Sequence, residues 1–598
     1  MSFNGKTEGA FVMHRGAVEM AAGLAALVQA GYGWLEQHNS TYYNPILPGF
    51  HPDPSCIFVQ EWDNTFFCAS SSFIAWPAMP IHISKDLVNW KLVSHVQNRP
   101  SQFPGAGNIT RGSGGWYAPT LRYHEGTFYV INVDVDAPSG GTGIFTTTNP
   151  YDNDAWSDLL EVKIPGYDPD IFWDTNGIIF SQCAHTLLGN PFTTDIERFT
   201  IERPSGETST PYYLTNGTGL QPPEGPHMYF KDGYYWLLLA EGGTAIGHQA
   251  DIFRSKNPSG PWESDPRNPA LTATNTSSLF QTVGHADLFE DANGNWWGVA
   301  LTTRSGPAYI NWPMNRETVL YPVSWPEGEW PILERVSGEM SGPLPPPNRN
   351  LPGTGTFVKD PDYYNFPPGS TLPRHFTFWR FPKTQNYVIS PPGHANTLQL
   401  TPSNANLSQF PSFNPLDGQT FVGRRQTDTL YVFDVDMQFA PTKQGEEAGV
   451  TMFLTQDMHT DLGVVYLNGL PHLRFRAEGP NAPATVTKRI PQSWCENEGI
   501  HFEIKGYNFT HYAMAAGAAG QALEIFAYVN NSVLSTSFTG AFAGIYATTN
   551  GHGEGGTPSY FSNWRYQGEG QAIGIAANGD IEYVPSVGQN KWGSWWWC

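Results

Sequence analysis

Polar and apolar positions in the first half of the chain repeat one pattern five times. Each copy has a polar or acidic residue, a short apolar run, a turn rich in Gly, Asp or Asn, and an aromatic run. The copies begin at Asp53, Tyr117, Asp168, Glu224 and His285. Asp-Gly and Asn-Gly between apolar runs favour hairpins. Recurrence every 50 to 65 residues, approximately, predicts a five-bladed β-propeller over residues 40–335, with the opening residues meeting at one end of its channel.

The second half of the chain follows a different pattern. Residues 336–356 are rich in Pro and Gly without an apolar face, which predicts an extended linker. Residues 429–439 and 449–454 alternate as half-buried strands do, and they favour a β-sandwich over residues 357–570. The expected fold class is all-β, a five-bladed β-propeller followed by a β-sandwich. Residues 1–39 are an N-terminal extension, and residues 571–598 are a tail that matches neither domain.

Composition narrows the function classes. Charged residues make up 14% of the chain and aromatic residues another 14%, including 21 Trp, which suits stacking on sugar rings. A net charge of −22 and the lack of a basic run argue against nucleic acid as a partner. No apolar run approaches the roughly 20 residues of a membrane span, so no membrane partner is expected. The chain is expected to act as a monomer.

Several features favour a secreted, extracellular protein. The apolar stretch 20–30 is compatible with a signal segment or with a short amphipathic helix. Asn-X-Ser/Thr sequons favour the secretory route when taken together. They start at Asn39, Asn108, Asn216, Asn275, Asn406, Asn508 and Asn530. Cys56 and Cys68 flank a hairpin turn and are either paired or two buried thiols.

Three acidic residues are candidates for glycoside hydrolysis, which needs one carboxylic acid and one carboxylate. Asp53 lies between two prolines that hold the backbone extended, although Asp beside Pro is commonly a turn residue. Glu224 lies among apolar and ring residues that would raise its pKa, whereas an isolated Glu is commonly solvated. Asp168 is a third carboxylate at the same mouth, and its charge would hold up the pKa of Glu224. All three open propeller repeats.

Other residues are candidates for binding. Phe73, Trp76 and Tyr117 could form an aromatic wall for a sugar, with core packing as the alternative. Arg304 could fork onto sugar hydroxyls or form an ion pair. His285 is either a metal ligand or a hydrogen-bonded core histidine facing the channel.

The motifs of the repeats resemble glycoside hydrolase family 43. They are Asn44-Pro-Ile-Leu-Pro-Gly-Phe-His-Pro-Asp-Pro-Ser, Tyr117-Ala-Pro-Thr-Leu-Arg-Tyr, Asp168-Pro-Asp-Ile-Phe, Pro223-Glu-Gly-Pro-His-Met-Tyr and Val283-Gly-His-Ala-Asp-Leu. In the second half, Phe421-Val-Gly-Arg-Arg-Gln-Thr-Asp resembles the concanavalin-like sandwich attached to xylosidases and arabinofuranosidases of this family. The resemblance therefore implies a hydrolase of two all-β domains.

The resemblance also implies roles for individual residues. It makes Asp53 the general base, Asp168 the residue that modulates the pKa of the acid, and Glu224 the general acid of an inverting mechanism. Arg304 matches a sugar-binding arginine, and His285 matches a histidine near a structural calcium ion or water in the channel. The implied chemistry requires no cofactor.

The resemblance is greatest to fungal enzymes that release terminal L-arabinofuranose from doubly substituted arabinoxylan. A β-D-xylosidase, or an enzyme with both activities, is the alternative, since such enzymes share the architecture. A third hypothesis is a propeller that binds carbohydrate without hydrolysing it, and the presence of all three acids argues against this hypothesis.

Overall fold

The computed structural model describes residues 39–136, 141–186, 194–410, 414–416, 418–495, 499–536 and 538–586. The predicted signal segment 20–30 and the Trp-rich end of the tail lie outside these residues. Within them the regular secondary structure is almost entirely β-strand, as predicted. Short 3₁₀ helices interrupt the strands at Gln60–Trp62, Pro100–Gln102, Pro104–Asn108, Asn153–Ala155, Thr384–Asn386 and Asn531–Leu534. Among the described helices, none has the length and apolar character needed to cross a membrane.

The strands of the first half follow one another in hairpins. They are β1 Ser40–Tyr43, β2 Ser55–Val59, β3 Thr65–Ala69, β4 Ala75–Trp76, β5 Ala78–Ser84, β6 Lys91–Gln97, β7 Trp116–His124, β8 Thr127–Asp134, β9 Gly141–Thr147, β10 Leu160–Glu161, β11 Tyr167–Trp173, β12 Ile179–Thr186, β13 Thr194–Thr200, β14 Tyr212–Thr215, β15 Glu224–Lys231, β16 Tyr234–Glu241, β17 Gln249–Ser255, β18 Glu263–Ser264, β19 Leu271–Thr272, β20 Phe280–Glu290, β21 Trp296–Arg304, β22 Arg316–Ser324, β23 Ile332–Leu333 and β24 Glu339–Gly342.

These strands form five antiparallel sheets in chain order. Sheet 1 is β2-β3-β5-β6, sheet 2 is β7 to β10, sheet 3 is β11 to β14, sheet 4 is β15 to β18 with β19 beside β17, and sheet 5 is β20 to β23. The first strands of successive sheets contact one another, and the first strand of sheet 5 contacts that of sheet 1. The five sheets therefore close into a ring, with their first strands innermost.

The same backbone irregularity recurs in or just before each innermost strand. One residue adopts a left-handed conformation, and in sheets 2 to 5 the register with the second strand shifts there. These equivalent residues are Asp53 (φ 52°), Ala118 (φ 37°), Asp168 (φ 52°), Gly225 (φ 53°) and His285 (φ 48°). The predicted repeat starts at Tyr117 and Glu224 are therefore wrong by one position.

The strands of the second half are β25 Asp362–Tyr364, β26 Phe378–Trp379, β27 Tyr387–Ile389, β28 Leu398–Leu400, β29 Thr420–Arg425, β30 Leu430–Gln438, β31 Glu447–Thr455, β32 Met458–Leu467, β33 Leu470–Glu478, β34 Val486–Arg489, β35 Ile500–Gly506, β36 His511–Ala518, β37 Glu524–Asn530, β38 Phe542–Thr548, β39 Ser559–Ile575 and β40 Ile581–Pro585. Strand β30 alternates between buried and partly exposed side chains, as predicted for residues 429–439, whereas β31, which contains residues 449–454, is buried throughout.

Two sheets of this half enclose a hydrophobic core. Sheet 6 is β27-β28-β39-β30-β35-β36-β37, with β25 and β40 also on β39, and sheet 7 is β29-β38-β31-β32-β33-β34. Phe433, Phe502 and Trp564 of sheet 6 and Leu462 of sheet 7 are completely buried in the core between them. The predicted boundary at residue 570 falls inside β39, so residues 571–586 belong to the sandwich rather than to a separate tail.

The two halves are in close contact. Strand β4 of the first half pairs with β26 of the second, and β24, which lies in the predicted linker, pairs with β1 of the first half. Phe357 forms an isolated bridge with Lys91. The predicted linker therefore runs along the ring and is not a free connector.

The alternative left open for the first two cysteines is resolved. Cys56 and Cys68 face each other across β2 and β3, and they form a disulfide.

Candidate active site

Three acidic side chains from three sheets meet at one end of the ring. Asp53 precedes β2 of sheet 1, Asp168 lies on β11 of sheet 3, and Glu224 begins β15 of sheet 4. Ligand-capable atoms of Asp168, Glu224 and His285 lie within 4.8 Å of one another. The Nδ1 atom of His285 is 3.7 Å from Asp53 Oδ1 and 4.0 Å from Asp168 Oδ2. Residues far apart in sequence are therefore brought together, as the repeat pattern predicts.

Asp53 is held as a carboxylate by two donors. Ser71 Oγ donates to Oδ2 over 2.6 Å, and Arg316 Nη1 donates to Oδ1 over 3.1 Å. Ser71 is itself fixed, because the backbone N–H of Ala118 donates to its Oγ over 2.7 Å. Burial alone would raise the pKa of Asp53, but the charge of Arg316 and the Ser71 hydrogen bond lower it. The side chain is therefore ionised and able to accept a proton.

Glu224 has the opposite electrostatic setting. Burial, followed by the negative charge of Asp53, raises its pKa to about 7. Burial and the charges of Glu224 and Asp53 also raise the pKa of Asp168, whose Oδ2 accepts a 3.2 Å hydrogen bond from the N–H of Gly225. Like charges so close together do not both ionise readily, so Asp168 and Glu224 share one proton near neutral pH. The site thus combines an ionised base with a protonated acid.

His285 is a neutral imidazole in this setting. Burial lowers its pKa to about 4, although the charge of Asp53 acts in the opposite direction. Ligand atoms of His285, Asp168 and Glu224 lie close enough together to hold a metal ion. Calcium takes six to eight oxygen ligands, so the two carboxylates would supply only part of its shell. The calcium expected near His285 stays a prediction.

The arginine of the site is Arg316 rather than the predicted Arg304. The Nε of Arg304 donates to Glu317 Oε2 over 2.7 Å and its Nη2 donates to Glu317 Oε1 over 2.9 Å, while Nη1 contacts Gln571 of the sandwich over 2.7 Å. This buried ion pair joins the two halves of the chain. Arg316 and Glu317 are neighbours on β22 and point to opposite faces, so only Arg316 reaches Asp53.

An aromatic cluster beside the Arg316 guanidinium includes two of the three residues predicted to form a wall, Phe73 and Tyr117, and Phe73 is completely buried, as the core-packing alternative predicts. The Phe73 ring lies 4.4 Å from the Tyr117 ring between centroids, and the Arg316 guanidinium lies 5.3 Å from the centroid of Phe73. Phe538 reaches this cluster from the sandwich half, 6.2 Å from Phe73 and 5.0 Å from the Arg316 guanidinium. Both halves of the chain therefore build the site.

Trp76 lies elsewhere than predicted. Its ring packs 4.5 Å from that of Phe381 between centroids, and it pairs with Phe378 in β26. These contacts place Trp76 at the junction between the ring and the sandwich, where it positions the domains relative to each other.

Sequence reasoning missed three residues of the site. Arg316 lies in the segment 311–320, and a second arginine close to Arg304 was the only signal for it. Ser71 stands among three consecutive serines without a distinguishing pattern. Phe538 comes from the other half of the chain, so only the tertiary fold brings it to the site.

Two family models match the chain. The model of glycosyl hydrolases family 43 matches residues 42–331, and that of the beta xylosidase C-terminal concanavalin A-like domain matches residues 364–567. A non-reducing end alpha-L-arabinofuranosidase of Bacteroides ovatus is 33% identical over 523 residues, which cover 86% of this chain and 92% of that protein. A beta-xylosidase of Bacillus subtilis is 30% identical over 71% of this chain and 79% of its own. A xylosidase/arabinosidase of Humicola insolens is 29% identical over 87% and 96%.

Solved structures agree with this assignment. A xyloglucan-locus protein of Bacteroides ovatus superimposes with a TM-score of 0.76 at 30% identity, covering 88% of this chain and 100% of that one. A xylan beta-1,4-xylosidase of Bacillus halodurans superimposes with a TM-score of 0.77 at 26% identity, covering 88% and 99%. The architecture of the whole described chain is therefore shared.

Proposed function

The chain belongs to glycoside hydrolase family 43 and is a glycosidase, and we propose that it removes terminal L-arabinofuranose units from arabinoxylan with inversion at the anomeric carbon. The observation that carries this proposal is the meeting of Asp53, Asp168 and Glu224 at one end of the ring, where Asp53 pairs with Arg316 over 3.1 Å. In this proposal the five sheets act as the blades of one propeller, whose innermost strands bring the acids together.

The mechanism follows from the two protonation states. Asp53, ionised beside Arg316, takes a proton from a water as that water attacks the anomeric carbon. Glu224, protonated near neutral pH, gives its proton to the departing glycosidic oxygen. Asp168 takes the role of modulating the pKa of Glu224, as the resemblance implies, and the two carboxyl groups are close enough to interact, since the charge of Glu224 raises the pKa of Asp168. After one turnover Glu224 is ionised and Asp53 protonated, and exchange with solvent restores both.

A small terminal sugar suits the burial of the site. Asp53 is 5% exposed, Asp168 7% and His285 6%, whereas Glu224 is partly exposed, so only a small part of the acids can meet a substrate. Tyr117 is partly exposed beside the completely buried Phe73, and Arg316 offers donors next to them. Such a site favours an exo-acting enzyme that takes one pentose unit. The arabinofuranosidase of Bacteroides ovatus supports arabinose, whereas the Bacillus subtilis beta-xylosidase supports xylose as the second candidate.

Rates on two chromogenic substrates would separate these candidates. We expect a higher kcat/KM on nitrophenyl α-L-arabinofuranoside than on nitrophenyl β-D-xyloside. A clear preference for the xyloside would replace the first candidate by the second. Glu224→Gln serves as the control for contaminating activity, and full hydrolysis by that variant would leave a sugar-binding role without catalysis.

Two further measurements address the finer claims. Proton NMR of the first sugar released should show the anomer opposite to that of the substrate, and retention would mean that Asp53 attacks the sugar directly. Singly and doubly substituted arabinoxylan oligosaccharides would show whether the doubly substituted xylose is preferred, as the resemblance to fungal enzymes implies.

Secretion is supported by surface chemistry. The Asn residues of five sequons are exposed, at positions 39, 108, 216, 275 and 508, whereas Asn406 is buried and bonded to Asn550. The Cys56–Cys68 disulfide is typical of an oxidising compartment. We expect glycans on exposed sequons in the protein purified from its source and a monomer by light scattering. An unglycosylated intracellular protein would contradict the proposed location.

A further inference from the structure

One guanidinium group inside the channel contacts all five sheets of the ring. Arg122 lies on β7 of sheet 2, and its Nη1 donates to Ser55 Oγ of sheet 1 over 3.1 Å and to Asp287 Oδ2 of sheet 5 over 2.9 Å. Its Nη2 lies 3.0 Å from Asp170 Oδ1 of sheet 3 and 3.0 Å from His227 Nδ1 of sheet 4. The five innermost strands are therefore tied to one side chain.

Each of the four partners of Arg122 lies just after a residue of the active site in the sequence. The spacing is two residues in three of the pairs and three residues in the fourth. The pairs are Asp53 and Ser55, Asp168 and Asp170, Glu224 and His227, and His285 and Asp287. At about 3.3 Å of rise per residue, the guanidinium lies one short layer below the reacting groups.

The oxygens of this layer are fully engaged. Asp170 Oδ2 accepts from the N–H of Met228 over 2.8 Å, and Asp287 Oδ1 accepts from Tyr229 OH over 2.6 Å. The remaining oxygens of both carboxylates face Arg122, and Asp287 Oδ2 also accepts from Ser55 over 2.7 Å. Burial alone would raise the pKa of Asp287, but the charge of Arg122 holds it at about 2. Arg122 thus offsets part of the negative charge that Asp170 and Asp287 bury in this layer.

We propose that Arg122 is a positioning residue, whose fixed positive charge stands where a metal ion would otherwise be needed and whose fork sets the spacing of the acids above it. The inference rests on the proposed hydrolase function. Carboxylates on separate strands repel one another, and a cation bound to all five strands opposes their separation. The planar guanidinium also fixes the directions of its hydrogen bonds, whereas a hydrated ion or a lysine ammonium does not.

The test compares Arg122→Lys and Arg122→Met with Arg476→Met. Arg476 forms an equally buried pair with Asp461 in the sandwich, 2.9 Å between Nη2 and Oδ2, and serves as the control for loss of a buried ion pair. Melting curves define a temperature at which each protein is folded. There, kcat, KM and the pH profile of kcat/KM are measured on the better of the two nitrophenyl pentosides.

We expect kcat of Arg122→Met to fall at least tenfold, with KM within about threefold of the parent value. The basic limb of its kcat/KM pH profile should move away from the parent position near pH 7, because the spacing of Asp168 and Glu224 changes. Arg122→Lys should recover part of kcat. Arg476→Met should melt at a lower temperature with unchanged kcat and pH profile. If Arg122→Met does not fold, the lysine variant decides, with at least a fivefold loss of kcat and a moved basic limb expected.

Folded Arg122 variants with the parent kcat and pH profile would overturn the proposal and leave a structural ion pair. Dialysis of the parent protein against EDTA should not change kcat, and a loss restored by CaCl2 would show that a metal ion does what is assigned to Arg122. A parent protein inactive on both pentosides would refute the proposed function instead, so the two failures are distinguishable.

Discussion

Replacing Arg316 by methionine tests the electrostatics that make Asp53 a base. The two side chains are 6% and 5% exposed, and Arg316 Nη1 lies 3.1 Å from Asp53 Oδ1. Removing one partner of a buried ion pair costs about 3 to 5 kcal/mol, because the remaining charge is left desolvated. This cost is one of folding stability, and it reaches kcat/KM through the pKa of Asp53. A pKa raised about two units above the assay pH corresponds to about 2.7 kcal/mol and to a loss of roughly 100-fold in kcat/KM.

The pH profile gives the sign of this effect. The charge of Arg316 is the largest influence that lowers the pKa of Asp53, so its removal raises that pKa. Because the base must be ionised, the acid limb of kcat/KM should move to higher pH in Arg316→Met, while the basic limb that reports Glu224 moves less. The assay is kcat/KM on a nitrophenyl pentoside between pH 4 and 9, with melting curves at each pH.

A matched control exists twelve residues upstream. Arg304→Lys keeps the charge that Glu317 requires, and Arg316→Lys makes the same change at the site. We expect Arg304→Lys to melt earlier with kcat/KM within about threefold of the parent, and Arg316→Lys to lose at least tenfold. Arg316→Met with an unmoved acid limb and near-parental kcat/KM would refute the role assigned to this ion pair.

Three further outcomes are expected. Since the pKa of Glu224 is about 7, kcat/KM should fall as the pH rises through about 7, and Glu224→Gln should lose roughly 100- to 10,000-fold and show no basic limb in a pH-rate profile. Phe538→Ala should raise KM at least threefold with a smaller change in kcat, and unchanged kinetics would remove the sandwich from the site. Burial lowers the pKa of His82 to about 3 and those of His51 and His95 well below 6.5, so the folded state binds fewer protons than the unfolded state. The contribution of these neutral histidines to the free energy of unfolding should therefore be fully present above pH 6.5 and decrease with acidification, by about 2 kcal/mol for His82 alone between pH 6.5 and 4.5. Urea titrations would contradict this if His82→Gln lost as much stability in acid as the parent.

Sequence patterns predicted the sheets and the acids because hairpin turns and alternation are local properties. The arginine of the site was assigned wrongly, since Arg304 and Arg316 stand at facing ends of one hairpin and only side-chain direction separates them. The end of the sandwich was also misplaced. Gly568 and Gly570 are typical of the end of a strand, but the 17-residue strand β39 runs through them because β30 and β40 pair with it there.

The equivalent position in each repeat is marked by a left-handed backbone conformation, which is hard to predict from residue type. Five equivalent positions have positive φ, yet only one is glycine. A left-handed residue other than glycine costs of order 1–3 kcal/mol, and such residues persist where the surrounding structure fixes them. Asp53, Asp168 and His285 meet this condition with side chains that face one another at the mouth of the ring.

Gly225 and Ala118 also have the left-handed conformation, although neither has a side chain that takes part in the site. At Gly225 a Cβ atom would lie 3.0 Å from the ring of His285, so close packing requires the missing side chain. At Ala118 the backbone N–H donates to Ser71, which in turn donates to Asp53. Each sheet thus supplies the site through the same irregularity, by a side chain, a close approach or an amide. A shift of register in any one sheet would therefore disturb the acids of the others.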